Sequence, residues 1–405
     1  MTKINGFLKD VTGAARVTKV REENFNAASK ENQYQDPINR VARLLHPSPF
    51  QVKVSKVLDV SPTAKKYTFI PLEGVLPVFQ SGNYVSIHVK IGNTITTRPY
   101  SICSAPFEAQ LPEPIFEVTI RKGKENKGFV SNYFYDNVKV DDIFTVEMPF
   151  GHFYLESLRD SKDIVGLAGG SGITPFYSMA KEIKNGTLDY NLTILYGSDS
   201  HKDIILEKEL KEICDSCDRV RFINVISGKN ATLEDGDEKG FITSDIIKKY
   251  SIDNDPSNAK TTYFVCGPLP MYEFVKGELD KLNVPARRVR MEIFGAPKDI
   301  SKAEGYPVER IKDIYKLTVV RGIKEDVIDA RADEPLAVAL ERHGILIRTC
   351  CRSGECGACR CKVLSGTFFV PSQGDGRRAA DKRFNYVHSC STYPTSDMKI
   401  KITII

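Results

Sequence analysis

Four of the ten cysteines in this 405-residue chain are spaced as ligands. Cys351, Cys356 and Cys359 form a C-x4-C-x2-C run within Cys351-Arg352-Ser353-Gly354-Glu355-Cys356-Gly357-Ala358-Cys359, and Cys390 follows thirty-one residues later. That spacing matches the thiolate set of a plant-type [2Fe-2S] cluster. Three ligands on one short loop reach two irons only if the backbone wraps closely, and Gly354 and Gly357 permit the approach. The fourth ligand must come from a separate segment, and Ser389-Cys390-Ser391, ahead of a closing strand from Met398 to Ile405, is placed to supply it. Zinc would favour two close pairs over this asymmetric set. Disulfides are disfavoured because residues 1 to 30 hold no apolar signal segment. Cys350 and Cys361 flank a complete set and are expected to be buried thiols. Cys214 and Cys217 form a lone C-x-x-C at a helix end, too little for a redox or metal motif. His46, His88, His152, His201, His343 and His388 show no ligand spacing and read as structural or surface groups.

Other stretches must bring electrons to such a site. From Phe50 the chain alternates in short strands, Gln51 to Val60, Lys66 to Ile70, Tyr84 to Val89, Thr94 to Ser101 and Ile115 to Arg121, which predict a small antiparallel barrel. One strand carries Arg98-Pro99-Tyr100-Ser101, where an arginine, a ring and a hydroxyl can hold a phosphate, stack on a flat ring and bond its edge. Gly128-Phe129-Val130-Ser131 opens a short helix whose first N–H groups are free for an anion. Met148-Pro149-Phe150-Gly151-His152-Phe153 closes the barrel.

After Asp163 strands alternate with helices, which predicts an open parallel sheet. Ile164 to Ala168, the turn Gly169-Gly170-Ser171-Gly172-Ile173-Thr174-Pro175 and a helix from Phe176 to Lys184 present backbone amides and a positive helix end to a diphosphate. Cys266-Gly267-Pro268 ends a later strand, and Arg290 to Phe294 ends the segment. Beyond Tyr196-Gly197 stands Asp199, an acid that would repel a 2'-phosphate and accept from a ribose hydroxyl; NADH is therefore expected over NADPH, although His201 and Lys202 lie close by.

Cys351 to Cys390, preceded by Glu334-Pro335-Leu336 through Gly344 and followed by Tyr393-Pro394-Thr395-Ser396-Asp397, resembles a plant-type ferredoxin domain of β-grasp form. The succession R-x-Y-S, G-x-x-S and P-x-G-x-F resembles the flavin domain of the ferredoxin-NADP reductase superfamily, and G-G-S-G-I-T-P with C-G-P resembles its nucleotide domain. The resemblance implies that Arg98, Gly128, Val130 and Ser131 hold the diphosphate of FAD, and that Pro99, Tyr100 and Ser101 line the isoalloxazine and ribityl. FAD is expected over FMN because of the helical G-x-x-S element. It also puts Gly170, Gly172, Thr174, Cys266 and Gly267 near the nicotinamide nucleotide, Phe294 against the flavin ring, and Glu292 as a proton or nicotinamide partner. Tyr100, Ser101, Cys266 and Glu292 are the implied catalytic groups, with Cys351, Cys356, Cys359 and Cys390 as metal ligands.

The implied organisation is an extension over 1–46, an FAD-binding barrel over 47–158, an NAD(P)-binding α/β domain over 159–294, a linker over 295–310 and a ferredoxin domain over 311–405. This order resembles the reductase components of oxygenase systems. It implies hydride transfer from NADH to FAD, single electrons to the cluster, and delivery to a redox partner protein, the oxygenase or other terminal component. A flavin/iron-sulfur subunit of a larger anaerobic or quinone-linked complex is the alternative. No triad or paired-carboxylate motif is present, as this chemistry would expect.

Composition narrows the rest. With 41% hydrophobic and 27% charged residues the chain is of ordinary globular type, and its length suggests about three domains. A net charge of +5 from 57 basic and 52 acidic residues is too balanced for a nucleic-acid partner. No run reaches the 18 apolar residues of a membrane span, so a cytoplasmic location is expected. In the extension only Ile38 to Leu45 has amphipathic helical spacing.

Overall fold

A computed structural model of the chain describes residues 7–28, 38, 41–42, 48–123, 128–295, 297 and 299–402. The chain divides into two compact units, residues 1–44 and 45–405. The first contains helix α1 (Phe7–Ala27), which no apolar period in the sequence predicts. Residues 11–27 are all exposed, so the helix has no buried stripe to leave that signature. The helix expected over 38–45 falls mostly outside the described residues. Among the described residues no helix is long and apolar enough to cross a membrane.

The second unit holds three main sheets. Strands β1 (Phe50–Ser61), β2 (Ala64–Pro71), β3 (Tyr84–Ile91), β4 (Thr94–Ser101), β5 (Phe116–Arg121) and β6 (Ile143–Phe150) form an antiparallel sheet in the order β4-β3-β6-β1-β2-β5. A bridge between Ile102 and Val118 draws its two ends together, as a barrel requires. Alternation along the strands turns Val52, Val54, Tyr67 and Phe69 inward. Helix α2 (Phe129–Asn137) buries Val130 and Phe134 over one mouth, and the Tyr67 hydroxyl donates to the Phe134 carbonyl at 2.8 Å.

The second sheet is parallel throughout. Its strands β7 (Asp163–Gly169), β8 (Asn191–Ser198), β9 (Val220–Ile226), β10 (Glu238–Lys239), β11 (Thr261–Cys266) and β12 (Val289–Glu292) lie in the order β10-β9-β8-β7-β11-β12. Helices α3 (Thr174–Asn185) and α4 (Glu207–Cys214) cover one face. Helices α5 (Ser244–Lys249) and α6 (Leu269–Lys281) cover the other. Strand order switches sides between β7 and β11, which opens a crevice at the carboxyl ends of those parallel strands. The core on the α3 face continues into the barrel through Ala64, Cys103 and Phe153. The Phe153 ring meets Phe264 edge-on at 5.0 Å and Phe176 at 5.8 Å.

The third sheet runs β14-β13-β19-β15-β17 and is built from β13 (Ile314–Arg321), β14 (Lys324–Arg331), β15 (Arg360–Ser365), β17 (Tyr386–His388) and β19 (Met398–Lys401). Helix α7 (Leu336–Arg342) packs Leu336 and Leu340 into its core beside Leu317, Val319 and Ile400. A small hairpin pairs β16 (Phe368–Phe369) with β18 (Tyr393–Pro394). Against it lies much of the stretch expected to be a linker: Ile300 and Tyr306 are buried with Tyr393, and the Tyr306 hydroxyl donates to the Ala332 carbonyl at 2.9 Å.

Phe153→Ala removes the ring that joins barrel and parallel sheet, so it should cost about 3–5 kcal/mol in denaturant unfolding. A loss under about 1 kcal/mol would show that the shared core contributes little.

Candidate functional site

The cluster loop connects α7 to β15. The Cys351 and Cys356 sulfurs lie within hydrogen-bonding reach, as do those of Cys359 and Cys390 and of Cys351 and Cys390. Contacts with Cys356 and Cys390 hold the Cys351 thiol well below its ordinary range, and contact with Cys390 does the same for Cys359. Backbone N–H groups reinforce the anionic form, Cys356 donating to the Cys351 sulfur at 3.4 Å and Cys390 to that of Cys359 at 3.5 Å. One zinc ion with Zn–S near 2.3 Å would hold four sulfurs within roughly 4 Å of one another. Among the described residues no three of these thiols gather within 4.8 Å. The sulfur contacts run instead as a chain from Cys356 through Cys351 and Cys390 to Cys359, a spread that suits two irons better than one. Gly354 holds a φ of +86°, and a Cβ there would enter the Gly374 carbonyl and the Ser391 hydroxyl, so the loop has no room for a side chain. The His388 Nδ1 hydrogen-bonds the Gly354 carbonyl from the other side. Cys350 and Cys361 are buried, as expected of spare thiols.

This loop is held against β4. Arg352 donates to both oxygens of Glu341 on α7, at 2.5 and 2.9 Å, and to the Thr97 carbonyl at 3.3 Å. The Thr97 and Ser86 hydroxyls both donate to the Thr349 carbonyl, at 2.7 and 3.3 Å. At the rim Glu147 accepts from Arg348 at 2.8 Å and meets His88 at 2.9 Å. Arg98 follows Thr97, with its Nη1 2.7 Å from the Thr97 carbonyl and 3.9 Å from Glu341. Burial and the neighbouring Arg352 charge push Arg98 down to about 10. Two guanidinium groups therefore share one carboxylate, leaving a positive charge that suits a diphosphate. The Tyr100 ring packs edge-on against Phe134 at 5.8 Å. Gly128, Val130 and Ser131 form the first turn of α2, with Ser131 donating back to the Gly128 carbonyl at 3.2 Å.

At the crevice the β7 turn packs on the end of β11. A Cβ on Gly172 would enter the Cys266 carbonyl, which makes Gly172 a close-packing position. The Thr174 hydroxyl donates to the Ser171 carbonyl at 2.9 Å and closes the same turn. Asp199 is exposed just after β8 and accepts from the Ser227 hydroxyl at 3.2 Å.

Cys266 and Glu292 are register partners across β11 and β12. Burial raises the Glu292 carboxyl well above its usual range, the Glu355 charge adds to this, and a hydrogen bond with Ser101 opposes it. Its Oε2 is buried without a partner, which fits a ligand polar group nearby. Burial likewise raises the Cys266 thiol. Phe294 packs edge-on to Tyr84 at 5.2 Å, and Gly295 donates to the Cys351 carbonyl at 3.4 Å. Tyr84 stands opposite Ser101 between β3 and β4, and its hydroxyl is raised by burial and then by the charges of Cys356 and Cys351. Flavin strand, nucleotide strand and cluster loop thus meet around Tyr84.

Several of these residues carry no motif. Tyr84 reads as an ordinary inward strand residue, and although Arg352 stands within the cysteine run, nothing in the spacing pairs it with Glu341 eleven residues earlier. Arg121 ends β5, pairs with Asp203 at 3.3 Å, and brings its Nη1 to 3.2 Å from where a Gly170 Cβ would stand. Only the basic residue at a strand end hinted at it. His201 proves to be gathered with Glu207, Glu234 and Asp237, a grouping that spacing cannot show. Lys211 lies 2.9 Å from Glu207 and already supplies a cation there.

Comparison with known proteins agrees with this geometry. An oxidoreductase FAD-binding domain matches residues 51–154, an oxidoreductase NAD-binding domain 167–277, and a 2Fe-2S iron-sulfur cluster binding domain 322–395. The chain is 25% identical over 367 residues to the glycine betaine monooxygenase reductase subunit of Chromohalobacter salexigens, covering 86% of this chain and 94% of the relative. It is 24% identical to the carnitine monooxygenase reductase subunit of Escherichia coli, covering 78% and 87%. The structure of phthalate dioxygenase reductase superposes with a TM-score of 0.61 at 19% identity, over 88% of this chain and 98% of that one.

Gly354→Ala should purify with its flavin and less than about a tenth of the cluster, read from iron content and visible bands; full cluster occupancy would overturn the close-packing argument. Glu292→Gln tests the raised carboxyl. An acid whose folded pKa is raised costs stability once pH exceeds its unfolded value, so the glutamine variant should gain on the parent as pH climbs above about 4.5, by on the order of 1 kcal/mol at pH 8. A pH-independent difference between the two would remove Glu292 as a buried titrating group.

Proposed function

Because the chain belongs to the ferredoxin-NADP reductase superfamily, in the three-domain form that ends in a plant-type ferredoxin, we propose that it is the reductase component of a multicomponent oxygenase system. It binds FAD, NAD(H) and a [2Fe-2S] cluster, and draws electrons from NADH for an external acceptor. The observation that carries this reading is the convergence of Ser101, Glu292, Phe294 and the cluster loop around Tyr84. The names of the glycine betaine and carnitine monooxygenase reductase subunits support an oxygenase as the acceptor.

Bound FAD accepts a hydride and releases electrons singly, which lets a two-electron donor serve a one-electron cluster. The chain's own residues arrange that exchange. Arg98, with the first turn of α2 at Gly128, Val130 and Ser131, holds the flavin diphosphate, while Pro99, Tyr100 and Ser101 line the flavin ring and ribityl. Gly170, Gly172, Thr174 and Gly267, joined by Arg121, receive the nicotinamide diphosphate at the crevice. Asp199 accepts from the adenosine ribose and disfavours a 2'-phosphate. Cys266 and Glu292 flank the nicotinamide, with Glu292 kept protonated by burial so that it donates rather than repels. Phe294, edge-on to Tyr84, would shield a bound flavin ring from water. Cys351, Cys356, Cys359 and Cys390 would hold the cluster, on the loop that meets β4 and Tyr84.

An anaerobic visible titration tests the whole path. NADH should bleach flavin and cluster bands together, and NADPH should do so at least tenfold less efficiently. Flavin bleaching without cluster bleaching would break the proposed internal transfer. Asp199→Ala should narrow the preference for NADH severalfold, and unchanged selectivity would remove this residue from the discrimination.

A further inference from the structure

The cluster loop can be approached from two sides, and one is closed. Thr349 and Arg352 bond to β3 and β4, and Glu355 lies near enough to Glu292 for its charge to be felt there. The other side is the loop 371–378 with helix α8 (Ala379–Arg383). The carbonyl of Gly374 packs on Gly354, and a Cβ on Gly376 would stand 2.6 Å from the Gly354 carbonyl. His388 links that carbonyl onward to Asp381 on α8, at 3.8 Å. This outer layer covers Gly354, and beside it Glu355 and Cys356 reach the surface themselves.

That layer is strongly basic. Arg360, Lys362, Arg377, Arg378, Lys382 and Arg383 are set against two carboxylates, Asp375 and Asp381. Arg360 pairs with Asp381 at 2.7 Å, and Arg377 and Lys382 both engage Asp375, at 2.7 and 3.1 Å. Among the described residues no carboxylate pairs with Lys362, Arg378 or Arg383, and all three are exposed. Phe384 stands 56% exposed among these charges, with the Arg383 guanidinium 5.6 Å from its ring.

We propose that this face is where the electron acceptor docks, and that the acceptor is a protein with an acidic rim around its redox centre. The inference rests on the reductase reading above and adds the surface and the charge of the partner. The cations outnumber the carboxylates on this face by six to two, and that surplus steers an acidic protein to the side of the cluster loop that the barrel leaves open. Phe384 supplies the apolar anchor that charge alone lacks.

The test compares two probe acceptors, a cytochrome b5 with an acidic haem edge and a cytochrome c with a basic one. NADH-driven reduction of cytochrome b5 should be the faster at low salt and should slow as ionic strength rises. Arg378→Glu with Arg383→Glu should cut its second-order rate about tenfold or more and speed that of cytochrome c, while bleaching of flavin and cluster by NADH is unchanged. Phe384→Ala should slow cytochrome b5 at high salt, where steering is screened. Rates with cytochrome b5 that ignore both salt and the charge reversals would overturn the proposal. A cluster that bleaches with dithionite but not with NADH would sink the NADH-driven reading instead, and the dithionite-reduced protein then carries the same cytochrome comparison.

Discussion

The arrangement depends on one buried ion pair, Arg352 with Glu341. Taking two charges out of water is costly, and the cost is offset only when the geometry is close to ideal and every remaining donor is used. Here the guanidinium spans both carboxylate oxygens and spends further N–H groups on the Thr97 carbonyl and the Thr349 hydroxyl. Arg352 adjoins Cys351, Glu341 belongs to α7, and Thr97 belongs to the flavin strand. A single side chain therefore ties a cluster ligand, the cluster domain's helix and the barrel into one rigid contact. Replacing it by apolar residues would pack as well and locate nothing.

Around that contact polarity is graded. One side carries the paired guanidinium groups of Arg98 and Arg352, whereas the other is lined by Tyr84, Phe294 and the buried carboxyl of Glu292. A flat, uncharged ring system with a charged tail fits in one orientation only. Glu355 and Glu292 repel each other across the gap between cluster loop and nucleotide strand, and this repulsion, added to burial, favours the neutral acid.

Much of this was legible because the chemistry is local. The cysteine run, the Arg98 to Ser101 strand, which the structure reproduces residue for residue, and the glycine turn after β7 each announce themselves within a dozen residues. What stayed hidden is non-local or unpatterned. Glu341 and Arg352 are eleven residues apart and gain meaning only when α7 lies beside β4. Helix α1 has no apolar face, so period-based reading passes over it. Gly172 looked like a phosphate cradle because its motif is one, and only the neighbouring Cys266 carbonyl shows that packing alone would demand a glycine. The chain from 295 to 310 read as a tether from its glycines, prolines and charges, yet Ile300 and Tyr306 are buried.

That last feature alters what kind of machine this is. A flexible tether would leave the cluster roaming within a sphere, so that each electron waited for a chance encounter. With Tyr306 edge-on to Phe369 and Tyr393, residues 300–306 pack as part of the cluster domain, and the Arg352 and Thr349 contacts seat that domain on the barrel. Passage between the two centres then depends on a fixed gap rather than on a search, and the internal step becomes indifferent to the viscosity of the medium.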